Sequence, residues 1–167
     1  QKKGAELPPL IAGGAQERGL RAGTENTAGI VALAAALAES CALMAEEDAR
    51  LRMITAYTVE ELRKALPDLR VHVSGGAHLP GILNVGIPHV RGEALVHLLD
   101  LRGICVSAAS ACHAGTDAPS HVLRAMGYDD GAAMETLRIS YGRRNTAEDA
   151  VAIVCEIVRA VEKIRTL

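Results

Sequence analysis

The sequence predicts an α+β fold, a few-stranded sheet packed by helices and preceded by one long helix. Three observations predict it. Ile30, Leu33, Leu37, Cys41 and Met44, then Leu51, Ile54, Leu62 and Leu66, follow helical spacing, and Pro67 closes the stretch. From Leu69 the period changes to two, with Leu69, Val71 and Val73 alternating with Arg70 and His72. Short strand-like runs then alternate with amphipathic helical segments up to the C-terminus, a pattern that makes a small α+β layer.

The elements follow in order. Residues 1–23 are loop-rich, with Pro8, Pro9, Gly13, Gly14, Gly19 and Gly23, a glycine density that favours unusual dihedrals or close backbone approach. A linker is the plain alternative for this stretch. Thr24 or Asn26 can cap the helix that follows, and Gly23-Thr24 before a helix N-terminus makes a reasonable anion site. The pattern leaves open a break between Glu46 and Arg50. Unbroken, about 40 residues at ~1.5 Å each would reach about 60 Å, a length that often links two domains. Cys41 and Met44 are expected in the core. Leu69 to Val73 reads as a half-exposed strand, Ser74-Gly75-Gly76 as a turn, and Ile82 to Ile87 as a second strand ended by Pro88. Glu93 to Leu101 is a helix with Leu95, Leu98 and Leu99 inward and Gly103 as its stop. Ile104 to Ser107 reads as a strand, Val122 to Met126 as a short helix ended by Gly127, and Thr136 to Tyr141 as a further strand. Thr146-Ala147-Glu148-Asp149 starts the last helix in the manner of a capping box, with Asp in place of Glu. Its apolar face is Val151, Val154, Ile157, Val158, Val161 and Ile164. The domain reading is a loop over 1–23, a linking helix or helix pair over 24–66, and an α+β domain over 67–167.

Composition narrows the function. Apolar residues are 49% of the 167, yet Phe and Trp are absent and Tyr numbers three, so the core is built from Ala, Leu, Ile and Val. Net charge is −2, and no basic stripe or aromatic platform suggests nucleic acid. The longest apolar run, Ile30 to Ala38, is far short of the roughly 20 residues of a membrane span, so no membrane is expected. Four cysteines without a secretory signal suit a reducing cytoplasm better than a disulfide scaffold. Gln1-Lys2-Lys3-Gly4 followed by Pro8-Pro9 resembles a turn between elements, so the chain is expected to be part of a longer protein.

Two residues stand out chemically. Cys112 sits in a small-residue loop, within 103–127, between a strand and a helix, where it could be exposed and mobile. A thiolate is a nucleophile, and a free thiol titrates near ~8.5. The alternative is a loop cysteine without a role, and the neighbouring His113 has no clear orientation toward it. Arg138 lies mid-strand between Leu137 and Ile139, where a guanidinium needs a partner and its planar fork suits a carboxylate. An ordinary ion pair or a strand facing water would also account for it. Cys105, Cys112, His113 and His121 could be read as zinc ligands, but the paired knuckle spacing of common zinc sites is missing, so no metal is expected. His72, His78, His89 and His97 read as surface or packing residues.

Four stretches, taken together and in order, resemble one family. Gly14-Ala15-Gln16-Glu17-Arg18-Gly19-Leu20-Arg21-Ala22-Gly23-Thr24-Glu25-Asn26 resembles the GGxQExxxRxGTxN segment of cysteine desulfurases, pyridoxal-phosphate enzymes of the class V aminotransferase type. Ile82-Leu83-Asn84-Val85 with Gly92-Glu93-Ala94-Leu95 resembles their I-L-N-V…G-E-x-L segment. Ser107 to Cys112, then Pro119 to Gly127, resembles their cysteine loop, here with Ala109-Ser110-Ala111 before the cysteine and His113 after it. Leu137-Arg138-Ile139-Ser140-Tyr141-Gly142-Arg143 resembles their I-R-x-S-x-G-R strand.

The resemblance implies the small C-terminal domain of a fold-type I, pyridoxal 5'-phosphate-dependent transferase. It implies that Cys112 takes sulfur from L-cysteine as a persulfide, releasing L-alanine, for iron–sulfur cluster assembly or thiolation. Arg138 would grip the substrate carboxylate, and Thr24 would bond the cofactor phosphate across a homodimer interface. A sulfur-acceptor or scaffold protein is the implied partner. The Schiff-base lysine is expected outside this chain, because Lys2 and Lys3 lack its Ser-x-His-Lys setting. The chain alone is therefore expected to be inactive. The alternatives are a stand-alone sulfur-carrier or interaction module, and a class V aminotransferase without sulfur transfer.

Overall fold

A computed structural model describes residues 8–72, 78–108 and 119–166. The chain divides into two compact units, Gln1–Met44 and Ala45–Leu167. In the first, a loop closes on itself through Leu10 N–H to the Leu20 carbonyl (2.9 Å) and Ala22 N–H to the Ile11 carbonyl (3.0 Å). A short 3₁₀ turn, Gln16–Gly19, lies inside it. Its residues Glu17, Arg18 and Gly19 all take positive φ, in keeping with the unusual dihedrals expected there.

Helix α1 runs unbroken over Thr27–Ala65. Asn26, one of the two expected caps, accepts the Gly29 N–H on Oδ1 at 3.0 Å. Paired side chains carry the helix across the stretch where a break was conceivable: Glu47 with Arg50 and Asp48 with Arg52. The two ends of α1 differ sharply. Ile54, Thr58 and Leu62 are buried in the second unit, whereas Ile30, Val31, Leu33, Leu37 and Met44 in the first are exposed. Cys41 and Met44 thus lie on the surface, not in the core as expected. Helical spacing reveals an apolar face but not what covers it. The span estimate also needs correcting: α1 contains an 18-residue window long and apolar enough to cross a membrane by length and composition. Counting uninterrupted runs missed it because Glu39 and Ser40 interrupt the stretch from Thr27 to Met44, in which Glu39 is the one charged residue.

In the second unit, β1 (Arg70–Val71), β2 (Ile82–Gly86), β3 (Ser107–Ala108) and β4 (Thr136–Ser140) form an antiparallel sheet in the order β1-β2-β4-β3. The crossover from β2 through α2 (Gly92–Asp100) to β3 leaves a place that β4 fills. Leu83, Val85, Leu137 and Ile139 alternate onto one sheet face. There they join Leu95 and Leu99 of α2 and Ile153, Val154, Ile157 and Val161 of α5 (Ala147–Arg165) in one apolar core, with Leu62 and Leu66.

Several boundaries differ from expectation. Ile104 to Val106 carry no ladder, and the strand there is only Ser107–Ala108. Two short helices occupy the β3–β4 connection: the expected α3 (His121–Ala125) and an unforeseen α4 (Asp130–Met134), capped by Asp129 Oδ1 on Ala132 N–H at 2.8 Å. The Thr146–Asp149 capping box forms as read. On α5 the expected Val154, Ile157 and Val161 are buried and Val158 and Ile164 pack against the core, with Ala150, Ile153 and Ala160 joining them, while Val151 is exposed. The stripe is thus wider than the one expected, taking in small alanines as well as branched residues.

Tyr141 ties the sheet end to α1. Thr58 Oγ1 donates to the Ile54 carbonyl (2.9 Å), so the Tyr141 hydroxyl donates to Thr58 Oγ1 (2.8 Å). Burial pushes the Tyr141 phenol up. The unfolded chain ionises it near pH ~10 while the fold still holds it neutral. Its contribution is therefore complete below about pH 10 and is lost as pH rises through the folded value. Tyr141→Phe should cost roughly 0.5–1.5 kcal/mol at pH 7. In urea unfolding between pH 7 and 11, the variant should also lose stability less steeply above pH ~10 than the parent. Parallel curves would show that Tyr141 is not the group responsible.

Candidate functional site

The face of the sheet turned away from the core carries the polar residues. Antiparallel register sets Asn84 of β2 directly opposite Arg138 of β4, and Arg138 opposite Ser107 of β3. Beyond β1 the next residue, His72, continues the same row, its N–H bonded to the Asn84 carbonyl at 2.9 Å. His72, Asn84, Arg138 and Ser107 thus form one line across all four strands. Directly opposed residues have Cβ atoms ~5 Å apart, so their side chains are neighbours.

Each member is held differently. Asn84, Arg138 and Ser107 are half-buried. The Arg138 guanidinium makes no hydrogen bond or ion pair among the described residues, as the guanidinia of Arg50, Arg52, Arg124, Arg159 and Arg165 do. His72 Nδ1 lies 2.8 Å from Asn84 Oδ1, and its ring packs on Tyr128 with centroids 4.2 Å apart. His72, read as a surface or packing residue, is buried. The reason is Gly86: a Cβ there would meet His72 Cε1 at 2.8 Å, so the missing side chain makes room for the ring. A cavity of about 960 Å³ opens beside the row, lined in part by Val59, His72, Leu79, Asn84 and Met126.

Of the residues singled out in the sequence, Cys112 and His113 lie outside the described residues. Thr24 is exposed in the first unit, and its carbonyl accepts Arg21 Nη1 at 3.1 Å. Arg21 also reaches the Gly23 carbonyl at 3.2 Å, which fixes the turn before α1. Cys105 and His121 are exposed. The sequence reading gave no role to His72 or Asn84. Asn84 was visible as the polar member of Ile82-Leu83-Asn84-Val85, with Arg138 similarly placed in its own strand, and that shared alternation was the available signal.

The aminotransferase class-V family profile matches residues 7–153, and the chain belongs to that family. Its relatives include the cysteine desulfurase IscS of Dictyoglomus turgidum, 36% identical over 166 residues, which are 99% of this chain and 42% of that protein. The cysteine desulfurase NifS of Azotobacter vinelandii is 34% identical over 166 residues, 99% of this chain and 41% of its own length. Among solved structures, a NifS-like protein matches with a TM-score of 0.81 at 33% identity, over 96% of this chain and 40% of that one. A NifS-like protein from Rickettsia africae matches at 0.76 and 28% identity, over 98% of this chain and 41% of its own. The chain therefore spans about two fifths of the length of these relatives.

The strands bearing the polar row are seated by Gly92, the first residue of α2. A Cβ on Gly92 would collide with the Thr136 carbonyl oxygen of β4 and touch the Ala108 Cβ of β3 at 3.4 Å. Gly92→Ala should destabilise the fold by roughly 1–3 kcal/mol through forced backbone displacement. Denaturant midpoints of the two forms measure this, and an unchanged midpoint would mean that α2 shifts without cost.

Proposed function

We propose that this chain is the part of a pyridoxal 5'-phosphate-dependent cysteine desulfurase that carries the sulfur-accepting cysteine and the substrate-carboxylate anchor. The observation that carries the reading is Arg138: a half-buried guanidinium, mid-strand, with no partner among the described residues, on the open face of the sheet. Kinship to proteins named cysteine desulfurase over nearly the whole chain supports it. In this reading residues 67–167 are the small domain, 24–66 the linking helix and 1–23 a loop from the large domain. The apolar first half of α1 is covered by chain that the relatives possess beyond the matched span, and not by lipid.

The fit to the cofactor is partial. Thr24, exposed beside Gly23, offers a hydroxyl to a phosphate. No described lysine suits a Schiff base: Lys64 is bound to Glu60 and Glu61, which raise its pKa and hold it protonated, and Lys163 lies on the exposed side of α5. The lysine is assigned to the remainder of the longer protein. Bound there, pyridoxal phosphate would supply an electron sink for the substrate's α-carbon.

The chain's own residues supply the rest. Arg138 accepts the carboxylate of L-cysteine in a two-point ionic contact that fixes the substrate's orientation. The Cys112 thiolate attacks the substrate sulfur, forming an S–S bond as the Cβ–S bond breaks. The released electron pair and a proton end on Cβ, giving L-alanine and a persulfide on Cys112. A protein acceptor then takes the terminal sulfur for cluster assembly or thiolation. The longer protein works as a homodimer, in a reducing cytoplasm that keeps Cys112 free.

Three assays test this. In the longer protein, Cys112→Ala should abolish persulfide formation and sulfur-dependent alanine release. Arg138→Ala should raise KM for L-cysteine ~10- to 100-fold, the loss of a charge-assisted contact of roughly 1.5–3 kcal/mol. The 167-residue chain alone, given pyridoxal phosphate and L-cysteine, should release no alanine. Retained amino-acid turnover in Cys112→Ala would favour an aminotransferase without sulfur transfer.

A further inference from the structure

We infer that Asn84 supplies a second donor, its N–H₂, to the carboxylate held by Arg138, and that His72 is the positioning residue that fixes the Asn84 amide for it. This rests on the reading of Arg138 as a carboxylate anchor.

The proton on His72 decides which end of the Asn84 amide stays free. His72 is 7% exposed. Nδ1 is bonded to Asn84 Oδ1, and Nε2 is buried with no hydrogen-bond partner among the described residues. A neutral imidazole carries one N–H. Placed on Nε2 it would be an orphaned buried donor, so it belongs on Nδ1 and donates to Asn84 Oδ1. That bond consumes the amide's acceptor end. The N–H₂ end remains, on the face shared with Arg138, and makes no hydrogen bond among the described residues.

The ring has little freedom to move. Gly86 leaves space for it on one side, where a Cβ would stand 2.8 Å from Cε1 and 3.0 Å from Nε2. Tyr128 closes another side at 4.2 Å. The amide is therefore set by a buried, immobile group. The row then presents the Asn84 N–H₂ and the Arg138 guanidinium on adjacent strands, with the Ser107 hydroxyl on the third. Two donors side by side with no acceptor suit a planar anion with two oxygens, and an amino-acid carboxylate is such a group.

The experiment uses the longer protein loaded with pyridoxal phosphate. It compares the parent with His72→Leu, His72→Asn, Asn84→Asp and Arg138→Ala. The readouts are kcat and KM for L-cysteine, equilibrium binding of L-alanine by calorimetry, and the thermal midpoint. Expected are a KM rise of ~3- to 10-fold in His72→Leu with kcat within about twofold, and an equal weakening of L-alanine binding. His72→Asn, which keeps an N–H donor near the Nδ1 position, should recover most of that loss. Asn84→Asp, which sets a carboxylate against a carboxylate, should lose at least as much as His72→Leu. Unchanged KM and L-alanine binding in His72→Leu and Asn84→Asp, with both impaired in Arg138→Ala, would overturn the inference and leave the anchor standing. Equal loss in His72→Leu and His72→Asn would overturn it too, by assigning His72 a packing role only. If Arg138→Ala binds L-alanine as the parent does, the anchor reading fails, and the inference with it.

Discussion

The pairing of β2 with β4 is the constraint on which the rest depends. Five consecutive pairs, from Ile82↔Ser140 to Gly86↔Thr136, fix the two strands. Within them Leu83, Val85, Leu137 and Ile139 turn to the core while Asn84 and Arg138 turn away. A slip of one residue would drive Arg138 into the space held by Leu95, Leu99 and Ile157, which are fully buried. Burying an unpaired guanidinium there is prohibitive. The hydrophobic effect that assembles the layer thus also aims the polar row, and the site inherits its register from the core.

Helix α1 shows how one continuous element can serve two environments. Its second half is anchored by Ile54, Thr58 and Leu62, and by Arg50, which donates to the Gly142 carbonyl at 3.1 Å beyond the end of β4. Its first half is apolar and exposed, with Glu39 as its lone charge from Thr27 to Met44. Intrinsic propensity favours helix throughout, because Ala and Leu dominate. What differs is burial, and propensity does not report it.

The same distinction explains what could be read from the sequence. The α+β class, the order of the main elements, the Thr146 capping box and the inward Leu95 and Leu99 follow from local chemistry, which the chain states directly. The errors lie where a third element decides. Cys41 and Met44 keep helical spacing but have no covering partner among the described residues. For His72 the choice between surface and packing was left open, and it is settled by Gly86 and Tyr128, which are brought to it from other segments. Val151 was placed on the inward face of α5 yet is exposed, while Ala150 beside it is buried. Asp129 begins α4 in a connection for which no element was expected. Of the site residues, Arg138 was legible because a guanidinium between two core residues is chemically conspicuous. His72 and Asn84 were not, since the bond between them spans a connection of unlike residues and becomes visible only once the strands are paired.

The space Gly86 leaves for His72 has a consequence for how this sequence can drift. Positions 72 and 86 share one volume. A side chain at 86 is admissible only if the ring at 72 is first exchanged for something smaller, and a smaller residue at 72 leaves a void that 86 can fill. Either change alone is unfavourable, while the two together can be neutral. The pair should therefore change in concert among distant kin, and a single exchange at either position would read as a deleterious step that its companion later rescues.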